Sequence, residues 1–347
     1  MSFHKPLIAG CITLCLSLCA VASQAPEPQI WPRIVSGLRL VNNEQRDTIE
    51  WARYYARHPD AFEQMLERSR PYLWHIVEAV ERRQMPLEIA LLPAVESGFD
   101  PKARSQQKAQ GLWQFVPQTG AARGLQNTRD YDARKDPIAS THAALGYLQD
   151  LSERFDDWLL ALAAYNIGAG RLAATLRKQH DAREFWDLDL PRETREHVRR
   201  LMGLCLLIEQ PKRFGIRLPD IPDRPLTQLV QLRHPVNLDA ALKDAGVLAG
   251  VVQAYNPGLR NLTNTTSKQS VILPDAEAGR LSAALASGTF APVPIPTVVV
   301  HVVKQGDSLW KIARKYDVHV RDLVRWNGLG DKALIRPGKR LEVHLKS

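Results

Sequence analysis

One carboxylate stands out among the residues that could do chemistry. Glu96 ends an apolar run, residues 89–95, at a point where helical spacing stops. A carboxylate at the C-terminus of a helix is opposed twice, by desolvation and by the negative end of the helix dipole. Both effects favour the protonated form, which a general acid needs near neutral pH. The alternative for this segment alone is an exposed glutamate in a last helical turn.

Two further segments carry side chains that could bind a sugar. Residues 111–115 read Gly-Leu-Trp-Gln-Phe, and Gln114 offers both a donor and an acceptor to an acetamide group. Residues 164–168 read Ala-Tyr-Asn-Ile-Gly and end a helical run. Each segment alone is also typical of plain structure, a glycine turn in the first case and a helix C-terminus in the second.

The elements that must position these side chains have helical spacing. From Arg46 to Gln210 apolar residues recur mostly at three- and four-residue intervals, and no strand signal interrupts them, which predicts an all-α domain. Helices are expected after Pro86, after Asp136-Pro137, after the cap Asp156-Asp157 and after Pro191. The last of these would carry Val198, Leu201, Met202, Cys205 and Ile208 on one face.

Taken in this order, the segments resemble the soluble lytic transglycosylase family, which is related in fold to goose-type lysozyme. The resemblance extends over about residues 86–207, and the helical lead and trailing units make the membrane-bound lytic transglycosylase D group the nearest match. Its motifs here are Glu96-Ser97, residues 99–101, Ala103, Ser105, 111–117, 132–134, 157–158 and 164–168.

The resemblance implies a specific reaction at a single carboxylate. Glu96 would protonate the glycosidic oxygen between N-acetylmuramic acid and N-acetylglucosamine, and would then take the proton of the muramyl C6 hydroxyl, forming a 1,6-anhydro ring. An internal nucleophile removes the need for the paired carboxylates of most glycosidases. By the same resemblance Ser97 and Gln114 would orient Glu96 or bind substrate, and Tyr165 and Asn166 would line the cleft.

A fourth segment, residues 190–198, departs from the family pattern. His197 stands where the family usually has Tyr, and we expect it to reach the sugar or Glu96 and to add pH sensitivity. Glu193 lies four residues earlier, so the two share a helix face and could form an ion pair. Both are predicted to bind substrate. Lys108 stands where the family tends to have glycine, which could alter the loop before Gly111.

The C-terminal unit resembles the LysM module over residues 299–343. Its motifs are residues 303–313, 323–327 and 335–338. The resemblance implies a βααβ fold with a groove for N-acetylglucosamine-containing glycans between the 306–309 turn and the loop before the last strand. The residues predicted to bind glycan are Gly306, Asp307, Ser308, Leu309, Ile335 and Arg336. The same residues also suit turn and cap chemistry, with Asp307 or Ser308 as N-cap and Gly338 as a turn.

An earlier unit repeats the spacing of this module. Leu238, Val247, Val252 and Asn256 keep the offsets of Leu309, Val318, Leu323 and Asn327. The Gly-Asp-Ser turn is replaced by His-Pro-Val-Asn at residues 234–237, so this unit could fold like LysM without binding like it. The fold class is therefore mainly α, with a lysozyme-like catalytic domain, one degenerate LysM unit and one clear one.

Composition shifts place the domain boundaries. Proline-rich stretches near residues 218–225 and 291–296 are typical of linkers. The expected division is a signal peptide at 1–22, a helical lead at 23–70, a catalytic domain at 71–215, a linker at 216–228, a degenerate LysM-like unit at 229–276, a linker at 287–298 and a LysM domain at 299–345.

The N-terminus predicts export to the periplasm or cell envelope. Lys5, the apolar stretch 7–20 and the small residues 20–22 are typical of a signal peptide cleaved after Ala22. Residues 8–11 also resemble a lipobox, so a lipid anchor at Cys11 with outer-membrane association stays open. Cys11, Cys15 and Cys19 would leave with the signal peptide, and Cys205 is expected in the core.

The charge balance limits the partners only weakly. Lys and Arg number 46 against 37 Asp and Glu, a net charge of +9, which suits an acidic polymer. A nucleic acid or a membrane surface would fit the charge as well, although no nucleic-acid-binding motif is visible. Peptidoglycan is the partner that the two family resemblances imply. We expect no metal, no cofactor and a monomer.

Two other functions fit parts of the sequence. One is a lysozyme-like hydrolase of the same fold, in which a second carboxylate such as Glu193 would hold water. The other is a non-catalytic wall-binding protein, because residues 300–347 carry 11 Lys or Arg against 5 Asp or Glu.

Overall fold

The computed structural model describes residues 27–41, 45–179, 184–263, 265, 269–292, 297–329 and 334–345. The expected signal peptide and Cys11 lie outside these residues. In the described part no single helix is long and apolar enough to cross a membrane. One helix pair, Trp158–Ile167 with Ala169–Lys178, has the length and composition but is bent by 119°.

The described residues from 27 to 226 form mainly helices and turns, as the spacing predicts. The helices are α1 Ile30–Ser36, α2 Arg46–Ala56, α3 Pro59–Ser69, α4 Leu73–Glu81, α5 Leu92–Ser97, α6 Pro117–Ala122, α7 Pro137–Phe155, α8 Trp158–Ile167, α9 Ala169–Lys178 and α10 Arg192–Glu209. Short 3-10 helices cover Leu87–Leu91, Ala133–Lys135, Phe185–Asp187 and Pro211–Phe214.

The expected helix starts and core positions are confirmed in three of four cases. The Asp136 carboxylate accepts from the backbone N–H groups of Ile138 and Ala139, which caps α7. Asp157 caps α8 through the N–H of Leu160 at 2.6 Å. Helix α10 lies at the centre of the domain against α2, α5 and α8, and the five apolar residues predicted for its inner face, with Cys205 among them, are buried.

The helix expected after Pro86 differs in detail. The chain first forms the 3-10 helix Leu87–Leu91, and α5 begins only at Leu92. Pro93 has no N–H to donate to the carbonyl four residues earlier, so one continuous α-helix cannot run through it. Proline instead occupies the first turn of α5, where no donor is needed.

Two small units follow, each built on a two-stranded antiparallel sheet. In the first, β1 Thr227–Leu232 pairs with β2 Gln269–Pro274, with Thr227 opposite Pro274; between them lie α11 Leu238–Asp244 and α12 Ala249–Tyr255, and α13 Asp275–Ser287 follows. In the second, β3 Thr297–Val302 pairs with β4 Arg340–Leu345, with Thr297 opposite Leu345, around α14 Leu309–Lys315 and α15 Val320–Trp326.

One hydrogen-bond pattern shows that the two units share a structure. Asn256 Nδ2 donates to the carbonyls of Val252 and Ile272, each at 2.8 Å, and its Oδ1 accepts from the Ile272 N–H. Asn327 makes the same three bonds in the second unit, to Leu323 and Glu342. The repeat inferred from spacing therefore corresponds to a repeated βααβ fold.

The two units differ in how they pack. Buried residues of the first unit belong to the same continuous core as helices α1 to α10, whereas the second unit has its own core around Leu309, Ile312, Leu323, Leu341 and Val343. The proline-rich stretch before β1 is also packed, because Ile30 N–H donates to the Ile221 carbonyl and Ile221 is 1% exposed.

Candidate active site

Glu96 lies in the last turn of α5, as expected. The helix ends one residue later, at Ser97, and is followed by Gly98, which adopts φ 60° and whose N–H donates to the Ala94 carbonyl. The Glu96 side chain is 13% exposed. The carboxylate is therefore largely desolvated and placed at the negative end of the helix.

The loop 103–115 faces α5 and depends on Gly111. Gly111 has φ 79°, and a Cβ at this position would lie 2.0 Å from the Arg134 carbonyl oxygen, so only glycine fits. Gln114, which is not glycine, adopts φ 48°. Such strain is tolerated where the surroundings fix the residue, and it is concentrated at functional sites. Gln114 Nε2 donates to the Gly111 carbonyl at 2.8 Å, which leaves Oε1 without a partner among the described residues.

A closed ring of four hydrogen bonds joins the segments singled out in the sequence. Ser97 Oγ donates to the Leu112 carbonyl at 2.9 Å, and Tyr165 OH donates to the Trp113 carbonyl at 2.8 Å. Thr194 Oγ1 donates to Asn166 Oδ1 at 2.9 Å, and His197 Nε2 lies 2.9 Å from Glu96 Oε1. The ring runs from α5 to the loop, to α8, to α10 and back to α5. We call these four bonds the active-site ring.

His197 contacts Glu96, and no ion pair with Glu193 is formed. Of the two ring nitrogens of His197, Nε2 bonds Glu96 while Nδ1 is buried without a partner among the described residues. Glu193 is exposed in the first turn of α10. The helical spacing places both residues on α10, but only His197 joins the active-site ring.

Tyr165 and Asn166 differ in whether a polar group remains available to a ligand. Burial raises the pKa of the Tyr165 phenol well above its ordinary value, and the nearby Glu96 carboxylate raises it further. Tyr165 therefore stays a neutral hydrogen-bond donor. Asn166 uses Oδ1 within the active-site ring, so its Nδ2 group has no partner among the described residues and is free to donate to a ligand.

The second LysM-type unit brings its two loops to one end of the sheet. Val303 N–H donates to the Lys339 carbonyl at 2.9 Å, and Gly338 N–H donates to the Val303 carbonyl at 2.8 Å. Gly306 adopts φ 85°, and Ser308, not Asp307, caps α14 through the Lys311 N–H. The N–H groups of Gly306 and Ser308 make no hydrogen bond to a described residue. Leu309 is buried, Ile335 is partly buried and Arg336 is exposed.

Comparisons with known proteins match both parts of the chain. A family model for the transglycosylase SLT domain matches residues 75–187, and one for the LysM domain matches residues 301–343. Membrane-bound lytic murein transglycosylase D of Escherichia coli is 37% identical over 335 residues, which is 92% of this chain and 74% of that protein.

The chain belongs to the membrane-bound lytic murein transglycosylase D family.

Two further relatives cover less of the chain. A putative tributyltin chloride resistance protein of Alteromonas sp. is 37% identical over 175 residues, 50% of this chain and 83% of that protein. A solved structure of the lytic transglycosylase Slt from Pseudomonas aeruginosa is 24% identical, with a TM-score of 0.33, and covers 43% of this chain and 25% of that one.

Several residues that support the site in this transglycosylase-family chain were missed in the sequence. Thr194 carries one bond of the active-site ring, and Thr141 Oγ1 accepts from the indole N–H of the fully buried Trp113 at 2.9 Å. Arg134 Nη1 donates to the Lys108 carbonyl at 3.2 Å. The resemblance covered the segments that contain Arg134 and Thr194 but gave neither residue a role. Nothing in the sequence pointed to Thr141, because its contact joins distant segments.

The backbone conformation of Lys108 explains why a glycine is expected at this position. It adopts φ 64°, the left-handed region that favours glycine, and its side chain points to solvent. Lysine therefore takes a backbone conformation at this position that glycine would adopt without strain.

In the first LysM-type unit, backbone N–H groups of the turn before α11 hydrogen-bond to other residues of the same unit. In the second unit, N–H groups of the turn before α14 have no partner among the described residues. By the repeat offset Asn237 corresponds to Ser308, yet the Asn237 N–H donates to the Phe290 carbonyl at 2.9 Å. Val236 exchanges hydrogen bonds with Thr265, which donates to its carbonyl from both N and Oγ1. The N–H groups of Val236 and Asn237 in this turn are therefore already paired.

A separate cavity in the first LysM-type unit contains His234 but no carboxylate among the described residues. This cavity has a volume of about 610 Å³ and lies between β1 and α13. Among the described residues no group of three or more His, Cys, Asp or Glu side chains could hold a metal ion. The Glu96 region is therefore the candidate active site.

Proposed function

We propose that this chain is a lytic transglycosylase that cleaves murein, the peptidoglycan of the cell wall, with Glu96 as both acid and base. The observation that carries the proposal is the active-site ring, which holds four segments around one carboxylate. Family membership supports the reaction class, because the relative that decides it is named a lytic murein transglycosylase.

The reaction needs one group that gives a proton and then takes one. Protonated Glu96 donates to the oxygen linking N-acetylmuramic acid to N-acetylglucosamine as the C1–O bond breaks. The resulting carboxylate then removes the proton of the muramyl C6 hydroxyl, whose oxygen bonds to C1 and forms the 1,6-anhydro ring. Glu96 ends protonated again. The internal hydroxyl has a large proximity advantage over bulk water.

The other predicted site residues take supporting roles in this proposal. Asn166 Nδ2 and Gln114 Oε1 are a free donor and a free acceptor, which together suit the N-acetyl groups of the substrate. The hydroxyls of Ser97 and Tyr165 donate to loop carbonyls and hold the cleft wall in place. Glu193 and His197 lie on α10, where His197 contacts Glu96 and the exposed Glu193 would meet substrate at the cleft edge.

A hydrolase would need a second carboxylate that positions water. Among the described residues, Glu96 is the only carboxylate that hydrogen-bonds to a side chain of the active-site ring. Glu193 is exposed at the start of α10. The internal nucleophile therefore fits the site better than water does.

The products of digestion test the proposal. Purified peptidoglycan treated with the wild-type chain should release muropeptides with 1,6-anhydromuramyl ends, read by mass spectrometry. Glu96→Gln should slow release by at least about 10²-fold, because general acid–base catalysis is lost. Glu63→Gln, the same change on the exposed face of α3, is the matched control and should retain activity.

Two results would overturn it. Reducing muramyl ends would identify a hydrolase. Equal, slow release by wild type and Glu96→Gln, with peptidoglycan binding retained, would identify a wall-binding protein without this enzymatic activity.

We further propose that the 299–345 unit binds the glycan strands of the same polymer. Its groove would be lined by Gly306, Asp307, Ser308 and Leu309 on one side and by Ile335 and Arg336 on the other. The free N–H groups of Gly306 and Ser308 support this, because they suit acetamide carbonyls. The paired backbone groups of the first unit support a structural role for residues 229–276.

The substrate places the chain at the cell envelope. The family relative is named membrane-bound, and we propose that the present chain is exported through the signal peptide at residues 1–22 and acts in the periplasm as a monomer. A lipid on Cys11 would add an outer-membrane anchor.

A further inference from the structure

His197 makes a direct hydrogen bond with Glu96, the carboxylate proposed as acid and base. Its Nε2 lies 2.9 Å from Glu96 Oε1, and its side chain is 8% exposed. Helix α10 packs against α5, so both partners come from ordered helices. The contact is therefore fixed by the fold.

The two nitrogens of His197 have different surroundings. Nδ1 is buried without a hydrogen-bond partner among the described residues, whereas Nε2 faces Glu96. An imidazolium would bury a charge and an unpaired Nδ1–H together, which is costly. A neutral ring with its proton on Nδ1 would also bury an unpaired N–H. A neutral ring with its proton on Nε2 leaves only a lone pair unpaired, and unpaired acceptors are tolerated more often than unpaired N–H groups.

The two oxygens of Glu96 also differ. Oε1 is bonded to His197, whereas Oε2 has no partner among the described residues and remains accessible to solvent. A proton on Nε2 lets His197 donate to Oε1 whether Glu96 is a carboxylic acid or a carboxylate. With the proton on Nδ1 instead, Nε2 could only accept, and the acidic proton of Glu96 would point at His197 and away from substrate.

We propose that His197 is a positioning residue that donates Nε2–H to Glu96 Oε1 throughout the reaction, so that Oε2 is the oxygen that gives and takes the proton. The inference rests on the proposed function for the role of Glu96. The same hydrogen bond serves both chemical steps without rearrangement, since it strengthens when Glu96 becomes a carboxylate. Oε2, the oxygen that transfers the proton, is thereby directed toward the substrate side of the cleft.

Two amide substitutions separate this role from plain packing. In His197→Gln the side-chain amide lies as many bonds from Cβ as Nε2 does, so it can still donate to Oε1. In His197→Asn the amide corresponds in position to Nδ1 and cannot reach. We expect His197→Gln to keep kcat within about tenfold of wild type, and His197→Asn to lose about 10²-fold in kcat with little change in KM, the range for a misplaced catalytic group. Equal kcat for wild type and His197→Asn would overturn the proposal.

A spectroscopic measurement on the wild-type chain tests the tautomer without relying on activity. In the full chain labelled with ¹⁵N-histidine, the His197 signals are assigned by their loss in His197→Gln. Nε2 is two bonds from both ring C–H protons and Nδ1 from only one, so long-range correlations distinguish them. At neutral pH we expect Nε2 to be protonated and Nδ1 bare.

The outcomes are distinguishable from failure of the proposed function. A protonated Nδ1 in the wild-type chain overturns the His197 proposal even if anhydromuramyl products are formed. Absence of those products with a protonated Nε2 overturns the proposed function and leaves the tautomer assignment standing.

Discussion

Arg260 Nη2 lies 3.0 Å from Asp132 Oδ2, and this ion pair ties the first LysM-type unit to the helical domain. Asp132 is 1% exposed and also accepts from Arg134, whose Nη2 lies 2.8 Å from the same oxygen. Burial opposes ionisation of Asp132, but the bonds to Arg134 and the charge of Arg260 hold its pKa below the ordinary value. Because Arg134 also supports the Lys108 carbonyl, the first unit supports the loop that carries Gln114.

Asp132→Asn should therefore destabilise the chain strongly. The change leaves the buried Arg134 guanidinium without its counter-charge, which costs about 3–5 kcal/mol. Arg260→Met removes only the partly exposed partner and should cost about 1 kcal/mol or less. Chemical denaturation gives both free energies of unfolding.

An exposed ion pair supplies the control for that comparison. Arg217 and Asp220 lie on the surface, with side chains 87% and 74% exposed. Asp220→Asn should change the free energy of unfolding by less than about 0.5 kcal/mol. A similar loss in Asp132→Asn and Asp220→Asn would contradict the proposed support.

The Thr194–Asn166 bond predicts a catalytic effect from a residue to which the sequence motifs assigned no role. Thr194→Val keeps the shape but removes the donor that fixes Asn166 Oδ1. Loss of one such bond, about 0.5–1.5 kcal/mol, should lower kcat/KM for anhydromuramyl release about 2- to 10-fold.

The matched change is Thr175→Val on α9, whose hydroxyl makes no side-chain hydrogen bond within the described chain. It should leave kcat/KM at the wild-type value. If Thr194→Val also did so, Asn166 would not depend on α10 for its orientation.

Local signals in the sequence predicted the starts of α7, α8 and α10. Asp136 and Asp157 precede apolar helical runs, and each was found bonded to the N–H groups of the next turn. The repeated asparagine, Asn256 and Asn327, likewise marks the same three bonds in both units. Such features depend on neighbours a few residues away, so spacing is enough to predict them.

Contacts across the chain could not be predicted in this way. Arg260 and Asp132 are 128 residues apart, and a charged Asp-x-Arg turn in sequence is more typical of a surface than of a buried cluster. The order of the motifs indicated which segments form the site, but the bonds of the active-site ring depend on how α8 and α10 pack. Glu88 is the clearest omission: it is fully buried, although its sequence position resembles that of any first-turn glutamate.

Glu88 predicts a pH dependence of stability. Its Oε1 accepts from the N–H groups of Arg39 and Leu40, but Oε2 is buried without a partner among the described residues. Burial raises the pKa of Glu88 above its ordinary value of 4.5, against the effect of the backbone bonds. The folded chain therefore holds this proton more tightly than the unfolded chain does.

The sign of the dependence follows from that difference. The contribution of Glu88 to the free energy of unfolding is fully present below pH 4.5 and is lost as pH rises through the folded-state pKa. Glu88→Gln cannot ionise, so its stability relative to wild type should increase with rising pH across this window. Denaturation of both chains at a series of pH values measures the difference, with Glu63→Gln as control; a difference independent of pH would rule out this contribution.

The groove of the second LysM-type unit predicts which positive charge binds glycan. Arg336 lies in the loop that flanks the proposed groove, whereas Arg340 begins β4 on the exposed face of the sheet, and both are exposed. In a Glu96→Gln background, which prevents digestion, Arg336→Ala should weaken binding to insoluble peptidoglycan about 5- to 10-fold, as expected for loss of about 1 kcal/mol of hydrogen bonding. Arg340→Ala removes the same charge and should have a smaller effect. Arg233→Ala, beside the 234–237 turn of the first unit, should bind like its parent, because the N–H groups of Val236 and Asn237 in that turn are already paired. Equal losses in all three variants would mean that net charge, and not the groove, holds the chain on the wall.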